Sequence, residues 1–276
     1  MGDLAQDTAL EGGHGRYRVR LSREWEIWGP NGGYLAAIAL RAAGAETALR
    51  RPASFACHYL SVAAFDVAEL HVVTLRATKR AAALRVSMTQ KEHAILEALV
   101  WVIGEVDGLV HDVAPMPDVP LPSALRSFEQ VVPPQERTAT YAFWQNLEAR
   151  PINWVHWNER SPGAPAWQEW YRFRPRATFD DPFLDAARAL ILIDTLLWPA
   201  ACRAYGRDLG YMAPNLDVSV QFHRAAPESE WLLCDAAAPV ATDGLIGGSA
   251  RVWSDTGHLL ASGGGQLLCR PAPPSS

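Results

Sequence analysis

Two short stretches of this chain contain residues whose types and spacing could do chemistry. Asn31, Gly32 and Gly33 precede an apolar run. Free backbone N–H groups at such a helix start, backed by the helix dipole, can hold an oxygen that gains negative charge. Asp217 lies beside an otherwise apolar strand, where a carboxylate is costly unless it is hydrated or paired. A carboxylate there can accept a proton, as a general base does.

Both stretches also allow a purely structural interpretation. Gly32 and Gly33 could simply let a helix pack closely against a sheet. Asp217 could be a strand-end or solvent-facing residue. The chemistry therefore depends on the elements that position these residues.

Two parts of the chain resemble each other, and this repeat is the first guide to those elements. A shift of 162 residues carries Leu60 onto Phe222, 61–64 onto 223–226 and 69–70 onto 231–232. Each copy predicts a helix of small and apolar residues followed by several strands. A half-domain that occurs twice suggests a fused pseudo-dimer whose active site lies at the seam. In this alignment Phe55 occupies the column of Asp217, which predicts that the first copy has no base of its own.

The coarse pattern predicts an α+β chain in which sheets wrap helices. The first copy has a strand at 16–27, a helix at 34–49 and strands at 54–62, 68–79, 82–91 and 95–105. The second has strands at 147–155 and 167–174, a helix at 185–205 interrupted at Pro199, and strands at 215–223, 230–238, 245–254 and 259–269. Repeated prolines predict a linker over 112–134.

Composition narrows the function classes. The 276 residues are 49% hydrophobic and 20% charged, with a net charge of −5 and no run of Lys or Arg, so nucleic acid is an unexpected partner. The four cysteines form no CxxC pair, which argues against a zinc site or a disulfide framework. Neither a signal peptide nor an uninterrupted membrane-spanning run is present, so we expect a cytoplasmic protein without membrane insertion.

Four strings, spread from Trp25 to Arg270, carry a resemblance to a known family. They are GPNGGYLAA at 29–37, EARP at 148–151, LDVSVQFHR at 216–224 with EWLL at 230–233, and DTGHLLAS at 255–262 followed by Gln266. They resemble, in the same order, the type II acyl-CoA thioesterases, which are double-hotdog proteins.

The resemblance implies a tandem hotdog, with two long helices each wrapped by a curled antiparallel sheet and the sheets joined edge to edge. The expected domains are an N-terminal hotdog at 16–111, a Pro-rich linker at 112–146 and a C-terminal hotdog at 147–271. The implied function is hydrolysis of a fatty acyl-CoA to free acid and CoA by an Asp-activated water, without a covalent intermediate. No cofactor or metal is implied.

Carried over by residue, the family's aspartate corresponds to Asp217. Its Thr column falls on Pro239, which has no hydroxyl, so Thr242 is the substitute candidate, with a plain turn threonine as the alternative. Gln266 lies one residue beyond the glutamine column, and such a slip reverses the face of a strand side chain. A β-bulge at glycines 263–265 could restore its orientation; otherwise Gln266 is a rim residue.

The remaining candidates concern substrate binding. Asn31, Gly32 and Gly33 are expected to hold the carbonyl oxygen. His58 is expected near the substrate as a core or rim histidine, and Arg224 or Arg80 could meet CoA phosphates, although isolated arginines are usually just solvated. Six aromatic residues could line an acyl tunnel or fill the core and domain interface: Trp144, Trp154, Trp157, Trp167, Trp170 and Tyr171.

Two other functions stay open. A hotdog acyl-thioester dehydratase or hydratase would need a paired His and carboxylate, and no convincing His lies in either equivalent strand. A non-catalytic acyl-CoA-binding protein with a decayed site is the other alternative, because fold alone does not guarantee activity. The expected partner is acyl-CoA, and the expected assembly is a homo-oligomer, a dimer or tetramer of double-hotdog chains.

Overall fold

Strands in which apolar and polar residues alternate form most of the molecule. In Arg16–Arg20, for example, Tyr17 and Val19 are buried and the three arginines are exposed. Such a pattern buries one face of a sheet and leaves the other in water. The structure, a computed structural model, describes residues 1–134, 141–152, 155, 161–205 and 209–272.

The helices and strands follow one another twice in a similar order. In the described part of the chain the helices are α1 (Leu4–Asp7), α2 (Gly32–Ala45), α3 (Phe128–Val131) and α4 (Pro182–Cys202). The strands of the first half are β1 (Glu11–Gly13), β2 (Arg16–Arg20), β3 (Arg51–Tyr59), β4 (Val67–Ala77), β5 (Ala81–Gln90) and β6 (His93–Ile103). Those of the second half are β7 (Leu147–Pro151), β8 (Ala166–Phe173), β9 (Tyr211–Met212), β10 (Asp217–Phe222), β11 (Leu232–Thr242), β12 (Leu245–Ser254), β13 (Leu259–Leu268) and β14 (Arg270–Pro271).

Within the residues that the structure describes, one antiparallel sheet of 12 strands joins the two halves, in the order β1-β2-β4-β5-β6-β3-β10-β13-β12-β11-β8-β7. The order is mirrored about the β3–β10 pair, so each half repeats the same arrangement around its own long helix. The tandem hotdog architecture, with sheets joined edge to edge, is confirmed. The short β9 and β14 pair separately.

The repeat alignment requires one correction. Phe55 and Cys57 of β3 are buried, and so are Val218 and Val220 of β10, whereas Asp217 alternates with them on the opposite face. These buried residues have odd numbers on β3 and even numbers on β10. Because side chains alternate along a strand, equivalent residues of the two strands must differ by an odd number. The even shift of 162 was therefore wrong on this strand, and Phe55 does not occupy the column of Asp217.

The two long helices pack directly on each other in antiparallel directions. Gly33 near the start of α2 meets Ile191 of α4, and Gly44 near the end of α2 meets Phe183 at the start of α4. Helix α4 continues through Pro199 instead of breaking there. Among the described residues, no helix combines the length and apolar character needed to cross a membrane.

The Pro-rich segment packs on the sheet. Its Ala114, Met116, Val119 and Leu125 pack against a cluster formed by Ile152, Trp170, Leu233 and Trp253. Arg150 donates to the carbonyl oxygens of Pro122 and Leu125, at 3.2 and 2.6 Å. The segment thus covers part of the outer face of the second half.

Candidate active site

A pocket of about 220 Å³ opens at the seam, where α2 begins and the middle of α4 passes beside it. Both halves of the chain line it. Its walls are residues 27–32 with Leu35, residues 59–63, Asp194, Thr195 and Trp198 of α4, and residues 213–216 with Arg270.

Asp194 is the buried acid of this pocket, with only 4% of its surface exposed. Its Oδ1 accepts hydrogen bonds from the Tyr59 hydroxyl at 2.8 Å and from Asn215 Nδ2 at 2.7 Å. Asn215 Nδ2 also donates to the main-chain oxygen of Asp194 at 2.8 Å, and the backbone N–H of Gly33 donates to the carboxylate. The carboxylate is therefore held by both halves of the chain.

Burial dominates the electrostatics of Asp194. It raises the pKa of this carboxyl from its ordinary value of 3.8 to about 6, because desolvation disfavours the charged form. Donation from Tyr59, Asn215 and Gly33 lowers the pKa and limits the rise. Burial and the neighbouring carboxylate raise the pKa of Tyr59 well above its usual value, so this hydroxyl keeps its proton. At neutral pH the site combines an anionic base with a neutral donor.

The start of α2 approaches the carboxylate closely because two glycines stand there. A Cβ on Gly32 would lie 2.9 Å from Asp194 Oδ2, and one on Gly33 would lie 2.8 Å from Ile191 Cα. Asn31 caps the helix, since its Oδ1 accepts the Tyr34 N–H at 2.9 Å while its Nδ2 donates to Thr195 Oγ1 at 3.1 Å. The first N–H groups of a helix have no partner within it. In α2 the Gly33 N–H donates to Asp194 and the Tyr34 N–H to Asn31, so the Gly32 N–H can point toward a ligand.

The fold has a second position that mirrors this site, where the start of α4 meets the end of α2, and a side chain fills it. Counted from the helix starts, Gly44 is the thirteenth residue of α2 and Asp194 the thirteenth of α4. Where glycines of α2 meet Asp194, the start of α4 presents Phe183 to Gly44, and a Cβ on Gly44 would lie 2.6 Å from that ring. The phenyl ring occupies the place of a side chain at Gly44.

The structure brings part of the predicted site together. Asn31 and Gly32 line the pocket, and Gly33 donates to its carboxylate. Asp217 lies outside the pocket, on the sheet face opposite the core, where it pairs across the strands with the exposed His58.

Gln266 is also near Asp217, but through its backbone. Its N–H donates to Asp217 Oδ1 at 3.1 Å, while the residue itself is exposed. Ser219 pairs with Gly264 whereas Asn215 bridges Leu267, so one extra residue lies on the β10 side. This irregularity is in β10, and not in the glycines where the bulge was expected.

The other predicted residues lie elsewhere. Thr242 is exposed at the hairpin end of β11, where it pairs with Leu245. Arg224 donates to Asp112 at 3.1 Å, at the start of the Pro-rich segment. Trp144, Trp167, Trp170 and Tyr171 lie outside the pocket lining, and Trp154 and Trp157 fall outside the described residues.

Sequence reasoning missed Asp194, Asn215 and Tyr59. A signal for Asp194 was present, because it is the one acid in the run at 190–198, where every other residue except Thr195 is apolar. The cost of a buried carboxylate, applied to Asp217, holds more strongly for this residue. Asn215 and Tyr59 carry no comparable signal, since they are recognised only by their distance from Asp194.

Comparison with known families covers most of the chain. Residues 21–103 match the family model described as the N-terminal domain of acyl-CoA thioesterases, and residues 118–266 match that of the C-terminal domain. The chain belongs to the acyl-CoA thioesterase family. The resemblance seen in the four strings is thereby confirmed.

Several solved structures have the same fold as this family member over nearly its whole length. A putative thioesterase II from Thermobifida fusca has a TM-score of 0.82 at 20% identity, covering 98% of each chain. The tesB protein of Mycobacterium avium subsp. paratuberculosis has 0.78 at 24%, covering 97% of this chain and 98% of that one. Acyl-CoA thioesterase II TesB2 from Mycobacterium marinum has 0.77 at 20%, covering 99% of both. At these identities the likeness shows the fold.

Proposed function

We propose that this protein hydrolyses acyl-CoA to a free acid and CoA, using water activated by Asp194. The observation that carries the proposal is the buried Asp194 carboxylate beside the glycine start of α2, in a pocket formed by both halves. Membership of the acyl-CoA thioesterase family supports the reaction class. The assignment of the residues rests on geometry.

The reaction needs a base, a site for the oxyanion and a leaving thiol. Asp194 takes a proton from a water as the water oxygen attacks the thioester carbonyl carbon. The negative charge moves to the carbonyl oxygen, which the backbone N–H of Gly32 and the positive end of the α2 dipole stabilise. The C–S bond then breaks, and the thiolate of CoA takes the proton back from Asp194.

Hydrogen bonding orients the base. Tyr59 and Asn215 both donate to Oδ1, so these two residues fix the carboxylate and position Oδ2 beside Gly32. Its pKa of about 6 leaves Asp194 ionised at neutral pH yet more basic than an ordinary carboxylate. A base with a pKa near the operating pH is the most effective.

Asp217 remains the alternative base predicted from the sequence, with Gln266 and Thr242 as its partners. We assign the role to Asp194 instead, because Asp217 faces away from the pocket and Thr242 lies at an exposed hairpin end. The expected homo-oligomer and the cytoplasmic location stay predictions.

Thiol release tests the reaction class. Purified protein is mixed with a series of acyl-CoA thioesters, and free CoA and free acid are both measured. Equal amounts of the two products are expected. Binding of acyl-CoA without release would support the non-catalytic alternative, and formation of an enoyl-CoA from a 3-hydroxyacyl-CoA would support a dehydratase.

Oxygen labelling tests the absence of a covalent intermediate. In a single turnover in ¹⁸O-water, direct attack by water places the label in the product acid. If the Asp194 carboxylate instead attacked the thioester, hydrolysis of the resulting anhydride at the Asp194 carbonyl would place the label in the protein. Label in the protein and unlabelled first-turnover acid would contradict general-base catalysis.

A further inference from the structure

An aromatic wall lies one helical turn from the proposed base. Trp198 follows Asp194 by four residues on α4, so both side chains lie on the same face, with Cβ atoms roughly 5–6 Å apart. The Trp198 ring meets Trp28 edge to face, with centroids 6.1 Å apart. Both indoles line the pocket.

Trp28 is fixed by contacts from several parts of the chain. Its Nε1 donates to the Tyr141 hydroxyl at 2.9 Å. The loop that carries it is closed by a bridge between Glu26 and Pro30, and Glu26 accepts the Phe143 N–H at 3.1 Å. Gly29, at φ +148°, makes the turn after Trp28. These contacts hold the Trp28 ring against Trp198, with 39% of Trp28 exposed to solvent.

The pocket also has an open rim. Leu60 and Val62 are 54% and 75% exposed there, and the exposed Arg270 lies on the same pocket. A polar CoA arm suits this hydrated rim, whereas an acyl group suits the indole wall, because transfer of apolar groups out of water is favourable. The acyl group would therefore extend from Asp194 toward Trp28 and Trp198.

We propose that Trp28 and Trp198 form the wall at the acyl end of this site and restrict it to short acyl groups. The cavity of about 220 Å³ is below the size of pockets that enclose drug-sized ligands, which start near 300 Å³. This inference rests on the proposed function, because Asp194 fixes where the thioester carbonyl lies.

The test compares acyl-CoA substrates from acetyl to palmitoyl. For the wild type, kcat/KM is expected to fall at least tenfold between hexanoyl-CoA and decanoyl-CoA, since small changes in chain length in a fitted pocket give about 10–200-fold discrimination. Trp28→Ala and Trp198→Ala should each raise the decanoyl-to-butyryl ratio of kcat/KM at least tenfold. Trp101→Ala is the matched control, because Trp101 is 44% exposed and lies outside the pocket.

A binding measurement separates failure of this inference from failure of the function. Calorimetry with the Asp194→Asn variant should show the same loss of affinity beyond hexanoyl-CoA, independently of turnover. If the wild type releases no CoA but shows this cut-off in binding, the hydrolase proposal fails and the size limit stands. If decanoyl-CoA and palmitoyl-CoA bind and react as well as butyryl-CoA, or if the tryptophan variants leave the ratio unchanged, the size limit is wrong.

Discussion

Asp194 carries a charge where burial disfavours one. Three donors compensate for part of that cost, and two of them, Tyr59 and Gly33, come from the first half of the chain. Because these donors do not fully offset burial, the pKa of Asp194 stays raised, and its carboxylate is a stronger base than that of an exposed aspartate. The same residue should therefore govern both the pH dependence of the reaction and part of the pH dependence of folding.

The pH–rate profile follows from the raised pKa of Asp194. Because the base must be ionised, kcat/KM should rise as the pH increases through about 6 and level off above it. The measurement is kcat/KM for butyryl-CoA between about pH 4.5 and pH 8.5. A flat profile through this range would contradict the assignment.

Replacement of Tyr59 should move that profile. Its hydroxyl stabilises the ionised carboxylate and lowers the pKa of Asp194, so Tyr59→Phe should shift the rising limb to higher pH. Activity lost near pH 6 should partly return at higher pH. Tyr17→Phe removes another tyrosine–carboxylate hydrogen bond, to Glu46, and should leave the limb unchanged. Equal losses at every pH in Tyr59→Phe would indicate a purely structural role.

Folding stability should respond to Asp194 with a defined sign. The folded-state pKa of about 6 exceeds the ordinary value of 3.8, so the folded state holds this proton more tightly and loses that advantage as the pH rises between the two values. The loss is on the order of 3 kcal/mol. The asparagine variant has no such proton to lose. The free energy of unfolding of Asp194→Asn minus that of the wild type should therefore be larger at about pH 7 than at about pH 4. Denaturant unfolding of both proteins at both pH values measures it, and an unchanged difference would contradict the raised pKa.

At the scale of elements, the site depends on how closely α2 meets α4. Gly33 lets the helix start reach both the backbone of Ile191 and the carboxylate of Asp194. The helix start is thus a packing contact and a catalytic contact at once. The two interpretations of these glycines, packing and chemistry, do not exclude each other.

Gly33→Ala should separate the helices. Its Cβ would lie 2.8 Å from Ile191 Cα, and relief of such overpacking typically costs about 1–3 kcal/mol. The alanine retains the backbone N–H, but the separation moves this N–H away from Asp194 and should also lower kcat/KM. Gly13→Ala is the control, since no atom lies within 4 Å of its added Cβ. Thermal unfolding and kcat/KM are the measurements, and unchanged values for Gly33→Ala would contradict the close contact.

The local sequence pattern predicted the helices and strands better than it predicted which of them pack against each other. The sequence placed the start of α2 within two residues, because the glycines and the apolar run are adjacent. It predicted β2 to continue to residue 27, but the strand ends at Arg20, before a 3-10 turn at Arg23–Trp25. It also could not tell which buried acid meets the helix start. An apolar run buried on all sides, such as that around Asp194, does not reveal which face meets the other half.

At the scale of the molecule, duplication produced two mirrored positions of which one is open. Glycines face Asp194 at one position, and Phe183 fills the space at Gly44 at the other. This supports the single site expected from the sequence, although the repeat register behind that expectation was one residue out. The asymmetry lies in the helices, and not in the Phe55 and Asp217 columns.

Binding stoichiometry should reflect that asymmetry. Asp194→Asn retains the pocket but lacks the base, so it should bind one butyryl-CoA per chain. Calorimetric titration measures this number. Two equivalent sites per chain would contradict the closure of the mirrored position by Phe183.

The central claim is that Asp194, and not Asp217, activates the water. The most direct measurement compares kcat/KM for butyryl-CoA in the matched variants Asp194→Asn and Asp217→Asn, after both are shown to be folded. Asp194→Asn should lose about 10²–10⁴-fold, as expected for removal of a general base. Asp217→Asn, on the outer face of the sheet, should stay within about twofold of the wild type. A large loss in Asp217→Asn with near-normal activity in Asp194→Asn would contradict the account.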